Sequence, residues 1–197
     1  TLAIIIYIGY HISGAHYNPV VTLAMYINDQ IDLKESGKYI ASQLIGSVVA
    51  VYTMIELGQD SFSVVSKTTE IQSFFVAEIL FTFLLVFVIL NVALNKSLKG
   101  NQFYGLAIGL TVTAGAFSVG NISGAVFNPA VSFGPSFLSF IDPMPSPDLN
   151  DWSIILPDIY NFNGEKEGFA YLGLGVLILI SFLIIKNIKN FMNTQLN

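Results

Sequence analysis

The 197-residue chain contains no cysteine and no arginine. Without Cys it can form no disulfide, no thiolate metal site and no thiol nucleophile. All eight basic residues are lysines, and there are only two histidines, His11 and His16, so a His-rich metal site is excluded as well. Charge of either sign is scarce, at 11% of residues against roughly 25% in an ordinary soluble domain. A net charge of −5 and the lack of a long basic run argue against nucleic acid as a partner. What fills the space is apolar. Hydrophobic residues make up 53% of the chain and the mean hydropathy is +0.67, which places it in a lipid bilayer.

One stretch occurs twice. Residues 13–19 read Ser-Gly-Ala-His-Tyr-Asn-Pro and residues 123–129 read Ser-Gly-Ala-Val-Phe-Asn-Pro. Val20, Val21 and Thr22 follow the first copy, and Ala130, Val131 and Ser132 the second. The separation is a constant 110 positions, as in a duplicated half-protein.

Thr1–Tyr10 reads as the tail of a helix. A spanning helix needs about 20 apolar residues, so the chain is expected to begin partway through a membrane segment. Pro19 suits the first position of a new helix, where its missing N–H would be unbonded anyway. That helix, 19–27, is too short to span and ends in the polar cluster Asn28-Asp29-Gln30. A charged loop over Asp32–Lys38 and full spans over 39–57, 72–94 and 103–118 are expected next, with the second short helix over 129–140. Gly46, Gly105 and Gly109 are small enough to allow close helix contact. A proline-rich acidic loop follows over 141–168, then a last span over 169–185. In that loop Trp152 suits an interfacial anchor, and Asp148, Asp151 and Asp158 could form a divalent-ion site.

These segments suggest one all-α membrane channel domain over 1–197, with the remainder of a first repeat in 1–57 and a second repeat in 72–185. Three spans separate the two motifs. If each short helix returns to the face it entered from, the motifs enter from opposite faces, which is an inverted repeat. The segments 28–38, 95–102 and 186–197 hold six lysines, whereas 58–70 and 141–168 hold only Lys67 and Lys166. The lysine-rich loops and the C-terminus are therefore expected to be cytoplasmic, in a plasma or inner membrane.

Non-helical backbone at membrane depth is tolerated only where it is buried in protein or lines a wet cavity. Two opposed half-helices would meet N-terminus to N-terminus, each carrying roughly +0.5 unit of charge and unbonded N–H groups. Asn18 and Asn128 would point at the same place. A neutral molecule with an acceptor oxygen would find donors there, and a cation would meet positive potential from both sides.

With these motifs the sequence resembles the major intrinsic protein family, the aquaporins and aquaglyceroporins. The likeness rests on His-Ile-Ser-Gly-Ala-His-Tyr-Asn-Pro-Val-Val-Thr-Leu at 11–23 and Ile-Ser-Gly-Ala-Val-Phe-Asn-Pro-Ala-Val-Ser-Phe-Gly-Pro at 122–135. Ala-Glu-Ile-Leu-Phe-Thr-Phe-Leu-Leu-Val at 77–86 and Gly-Leu-Ala-Ile-Gly-Leu-Thr-Val at 105–112 add to it. The resemblance implies six spans, two half-helices, one pore per subunit and a homotetramer, with the first span and most of the second preceding Thr1. It also implies a pore midplane of Asn18, Pro19, Val20, Asn128, Pro129 and Ala130. His16 would line the inner vestibule, and His11 would hold loop backbone. Glu78 would accept backbone N–H bonds from the second re-entrant loop around 119–125.

Two departures stand out. Val20 replaces the alanine of the usual Asn-Pro-Ala, adding bulk beside the midplane. Val131 stands where water-conducting members usually carry arginine at the outer constriction. Two other constriction positions map by spacing to Ala116 and Ala125, and a fourth would precede Thr1. A constriction of Ala116, Ala125 and Val131 is wider and less polar than a strict water filter. It suits water and small uncharged solutes such as glycerol, urea or undissociated metalloid acids.

Three other functions compete. A coupled secondary transporter shares the inverted repeat but needs ion-coupling carboxylates at the site, and apart from Glu78 no span offers one there. An intramembrane enzyme lacks any catalytic constellation, and no cofactor or metal is implied. A non-conducting structural or junctional membrane protein of the same fold is compatible with Val20 and Val131.

Overall fold

The structure, a computed structural model, describes residues 1–58 and 71–141. The expected last span over 169–185 lies outside the described residues. So do the loop beyond residue 141, with Trp152, Asp148, Asp151 and Asp158, and most of the 58–70 connection. In chain order the helices are α1 (Leu2–Ser13), α2 (Pro19–Ile27), α3 (Leu33–Glu56), α4 (Ile71–Leu94), α5 (Tyr104–Ser123) and α6 (Pro129–Ile141), with a single 3-10 turn at Lys96–Leu98. Among the described residues three helices are long and apolar enough to cross a membrane: Leu33–Glu56, Gln72–Leu94 and Tyr104–Ser123. The chain is an all-α membrane protein.

Two boundaries differ from the reading of hydropathy alone. The span expected from residue 39 begins at Leu33, because Asp32 caps it: Oδ1 accepts the Glu35 N–H at 2.7 Å. Glu35 then pairs with Lys38 at 3.0 Å on the exposed first turns, so the charged stretch is helix and not loop. The span expected to end at 118 runs on to Ser123, where Gly124 closes it in the left-handed conformation at φ 81°. Gly14 ends α1 in the same way at φ 69°.

Helices α1 and α5 pack antiparallel, with Ala3 opposite Gly109 and Tyr7 opposite Gly105. A Cβ on Gly109 would lie 2.8 Å from the Ala3 Cβ, so this crossing depends on the missing side chain. α4 packs on α5, α3 on α6, and the short α2 touches α3, α4 and α6. The main core cluster takes Ile6 from α1, Val21 and Met25 from α2, Leu85 and Ile89 from α4, Ile108 from α5 and Phe127 from the second re-entrant loop. Val20 and Ala24 bury against Val86 and Leu90 in a second cluster joining α2 to α4. The half-helix is thus anchored on two sides. Ile31, Leu94 and Tyr104, beside or in the connections after α2 and α4, also pack on the main cluster.

The opposite faces of α1, α3 and α5 expose Ile4, Ile8, Ile45, Val49, Leu110 and Phe117. Hydrocarbon is the solvent that suits such faces. Gly46 belongs to this set, since a Cβ there would meet nothing within 4 Å, and it makes no close contact among the described residues. The close approach on α3 occurs one residue later. A Cβ on Gly134 of α6 would fall 2.6 Å from the Ser47 carbonyl oxygen.

This contrast sets a paired expectation. Gly134→Ala should destabilise the protein by about 1–3 kcal/mol through backbone overpacking. Gly46→Ala should be neutral or stabilising by up to about 1 kcal/mol from helix propensity. Thermal unfolding in detergent reads both, and equal midpoints for the two variants would contradict the packing described.

Candidate functional site

The two motifs fold as near copies. In each, Ser-Gly-Ala leaves the preceding helix through consecutive left-handed residues, Gly14 and Ala15 (φ 69° and 55°), Gly124 and Ala125 (φ 81° and 53°). Alanine is strained there by about 1–3 kcal/mol, so its surroundings must hold it. The serine hydroxyl does part of this, accepting the alanine N–H: Ser13 from Ala15 at 3.3 Å, Ser123 from Ala125 at 3.1 Å. Asn then caps the half-helix, with Pro at its first position. Asn18 Oδ1 accepts the Val20 N–H at 2.9 Å and Asn128 Oδ1 accepts the Ala130 N–H at 3.0 Å. Capping uses only the oxygen of each amide.

The nitrogens reach across. Asn18 Nδ2 donates to the Phe127 carbonyl at 2.8 Å, and Asn128 Nδ2 donates to the Tyr17 carbonyl at 2.9 Å. Each asparagine therefore bonds the residue just before the other, joining the re-entrant loops N-terminus to N-terminus. A primary amide has two N–H donors, so one remains on each nitrogen for a ligand. The two helix N-termini add positive potential from opposite directions.

A cavity of about 580 Å³ runs past this junction. Its wall includes Asn18, Asn128, His16 and Tyr17 near the crossing and Val131 in the first turn of α6. At the other end Ile31, Leu94 and Tyr104 line it. Most of the remaining wall is aliphatic, so polar groups are few and several of them gather at the crossing.

The loops are supported by different residues. Glu78, buried in α4, takes the Ser123 hydroxyl at 2.6 Å and the Val126 N–H at 3.1 Å on Oε1, and the Phe127 N–H at 2.8 Å on Oε2. The Ser123 contact falls inside the 119–125 stretch expected for this support, and the two N–H contacts, at 126 and 127, fall just beyond it. The first loop is held from α3. Gln43 Nε2 donates to the His16 carbonyl and to Thr22 Oγ1 at 2.8 Å, and the Tyr39 hydroxyl donates to the Ser13 carbonyl at 2.5 Å. The His16 ring also packs on Tyr39, centroids 4.9 Å apart. Neither Gln43 nor Tyr39 was singled out from the sequence. An uncharged amide amid an apolar span was the available signal, since such a group needs a partner at membrane depth.

Other expected site residues are more scattered. Pro19 and Pro129 open their half-helices, and Val20 and Ala130 are buried behind the crossing and off the cavity wall. His11 is exposed in the last turn of α1. Of the three constriction positions only Val131 lines the cavity. Ala116 lies exposed on α5, and Ala125 is half-buried against the main core cluster. Among the described residues no group of three or more His, Asp or Glu could hold a metal.

Replacing Glu78 tests its support of the loop. In Glu78→Gln one acceptor becomes an NH₂ donor facing another donor, with an expected loss of about 1–3 kcal/mol in stability. Thermal unfolding in detergent measures this. An unchanged midpoint would remove Glu78 from the loop's support.

Comparison with known proteins agrees with this geometry. The sequence profile of the family described as Major intrinsic protein matches residues 1–145. Nodulin-26 of Glycine max is 39% identical over 141 residues, covering 70% of this chain and 51% of that protein. Aquaporin NIP1-2 of Arabidopsis thaliana is 38% identical over 149 residues, covering 70% and 50%. Glycerol uptake facilitator protein-like 6 of Lactiplantibacillus plantarum is 40% identical over 140 residues, covering 65% and 62%. The chain spans about half the length of the first two. A profile match over most of the chain, spanning both Asn-Pro loops that cross-bond in the structure, means that this chain belongs to the major intrinsic protein family.

Proposed function

We propose that this protein is a passive channel for water and small neutral solutes, and not an enzyme. The observation that carries the reading is the reciprocal pair, Asn18 to Phe127 and Asn128 to Tyr17, set in the wall of a largely apolar cavity. It offers a neutral solute two N–H donors while two half-helix N-termini repel cations. Relatives named as aquaporins and as a glycerol uptake facilitator favour the same class of cargo.

Selectivity in this reading leans toward solutes larger than water, such as glycerol, urea or undissociated metalloid acids. Val131 supports it: an uncharged aliphatic side chain lines the cavity where water-conducting members usually carry arginine. Coupled transport is disfavoured, because both oxygens of Glu78 are occupied by the second loop. We assign the lysine-bearing connections after α2 and α4 to the cytoplasmic side. A homotetramer in the bilayer is the assembly we infer from the family.

Stopped-flow light scattering of proteoliposomes tests the channel and its selectivity together. The protein should speed glycerol-driven reswelling over empty vesicles. Val131→Arg should lower glycerol permeability by about tenfold while water flow persists, since an added cation narrows the passage and makes it more polar. Vesicles that respond to water gradients but take up no such solute would overturn the selectivity reading.

A further inference from the structure

The end of the cavity farthest from Val131 carries a group of residues that the midplane chemistry does not use. Tyr104 is the first residue of α5 and Tyr10 lies in the last turn of α1; both line the cavity near Leu94 and Ile31. Their ring centroids are 4.8 Å apart with planes tilted by 44°. Tyr104 is also gripped from its other side by Tyr7, edge-on at 5.1 Å. The Tyr7 hydroxyl donates to the Gln102 carbonyl at 2.7 Å and accepts the Leu106 N–H at 3.3 Å, so Tyr7 fixes the start of α5.

Tyr10 and Tyr104 are placed differently from Tyr7. Among the described residues neither of their hydroxyls has a hydrogen-bond partner, and Tyr10 remains 44% exposed beside the cavity. A ring pair that only filled the core would be buried. A phenol that only satisfied backbone would be bonded, as Tyr7 is. These two rings instead place bulk and two hydroxyls along the passage. At the other end Val131 brings neither charge nor a hydrogen-bonding side chain.

We infer that Tyr10 and Tyr104 form a second, inner filter that sets the largest solute the channel passes. This rests on the channel reading and deepens it. The rings limit cross-section, and their hydroxyls offer polyols hydrogen-bonding partners where the rest of that wall is mainly aliphatic. The upper size limit is thereby placed at the aromatic pair and not at Val131.

The test uses the full-length protein in proteoliposomes, with glycerol, erythritol and sorbitol gradients followed by stopped-flow light scattering. The Tyr10→Ala/Tyr104→Ala variant should raise erythritol permeability by about tenfold and glycerol permeability far less, because removing ring bulk matters most for the larger solute. Tyr10→Phe/Tyr104→Phe should keep the wild-type size limit, since it keeps the rings. Tyr10→Trp should lower glycerol and erythritol flux together, and it keeps the proposal falsifiable if the alanine pair fails to fold. A conducting wild type whose size profile is unmoved by the alanine pair, or by Tyr10→Trp when that pair does not fold, overturns the inner filter alone. Silence of both wild type and alanine variant, each folded and monodisperse, overturns the channel reading and the filter with it. A silent wild type opened by the alanine pair supports the filter in its tightest form.

Discussion

The arrangement depends on two amide-to-carbonyl bonds at the crossing of the re-entrant loops. Each links a side chain in one repeat to backbone in the other, and each uses a nitrogen whose partner oxygen is already capping a helix. Without them, the half-helices would present unbonded donors and like dipole ends to each other in a medium of low dielectric. With them, mutual repulsion is offset by bonds that run through the same atoms. The strained Ala15 and Ala125, the capping geometry and the position of the cavity wall all follow from keeping these loops in register.

The two repeats reach the same backbone by different external supports. In the second, an ionisable residue on α4 gathers two backbone N–H groups and a hydroxyl. In the first, α3 supplies the Gln43 amide as a donor to the His16 carbonyl, and the Tyr39 phenol to the Ser13 carbonyl. One loop has its donors satisfied and the other its acceptors. A duplicated motif can therefore persist while the residues around it diverge, provided each loop's exposed backbone groups find a complement.

Much of this was legible in the sequence, and what was not has a physical cause. The Asn-Pro copies fixed both half-helices, because proline and an Asn cap have few other uses within apolar sequence. Glu78 was legible as a loop support through the family resemblance, and a carboxylate at membrane depth must in any case be satisfied. The targets of Asn18 and Asn128 were not, since they are backbone carbonyls and any residue type supplies one. Leu33–Lys38 read as loop because charge suggested water, whereas Asp32 and Glu35 serve as a cap and a pair on an exposed helical turn. Ala116 and Ala125 were placed by spacing along the chain, which does not fix side-chain direction: Ala116 falls on an exposed side of α5, and Ala125 follows the point where φ turns positive at Gly124. Gly46 was read for its size alone, and whether another backbone approaches depends on which face it occupies.

The sequence distance across the junction has a consequence for biosynthesis. Asn18 and its partner Phe127 lie 109 residues apart. At roughly 5–20 residues per second of translation, the first loop is made on the order of ten seconds before the carbonyl that completes it. During that interval its amide and the open end of α2 must be sheltered by the translocon, by water or by provisional contacts. The midplane is thus assembled late, as a closing step, and a chain stalled before residue 127 would leave the first loop without the partner that fixes it.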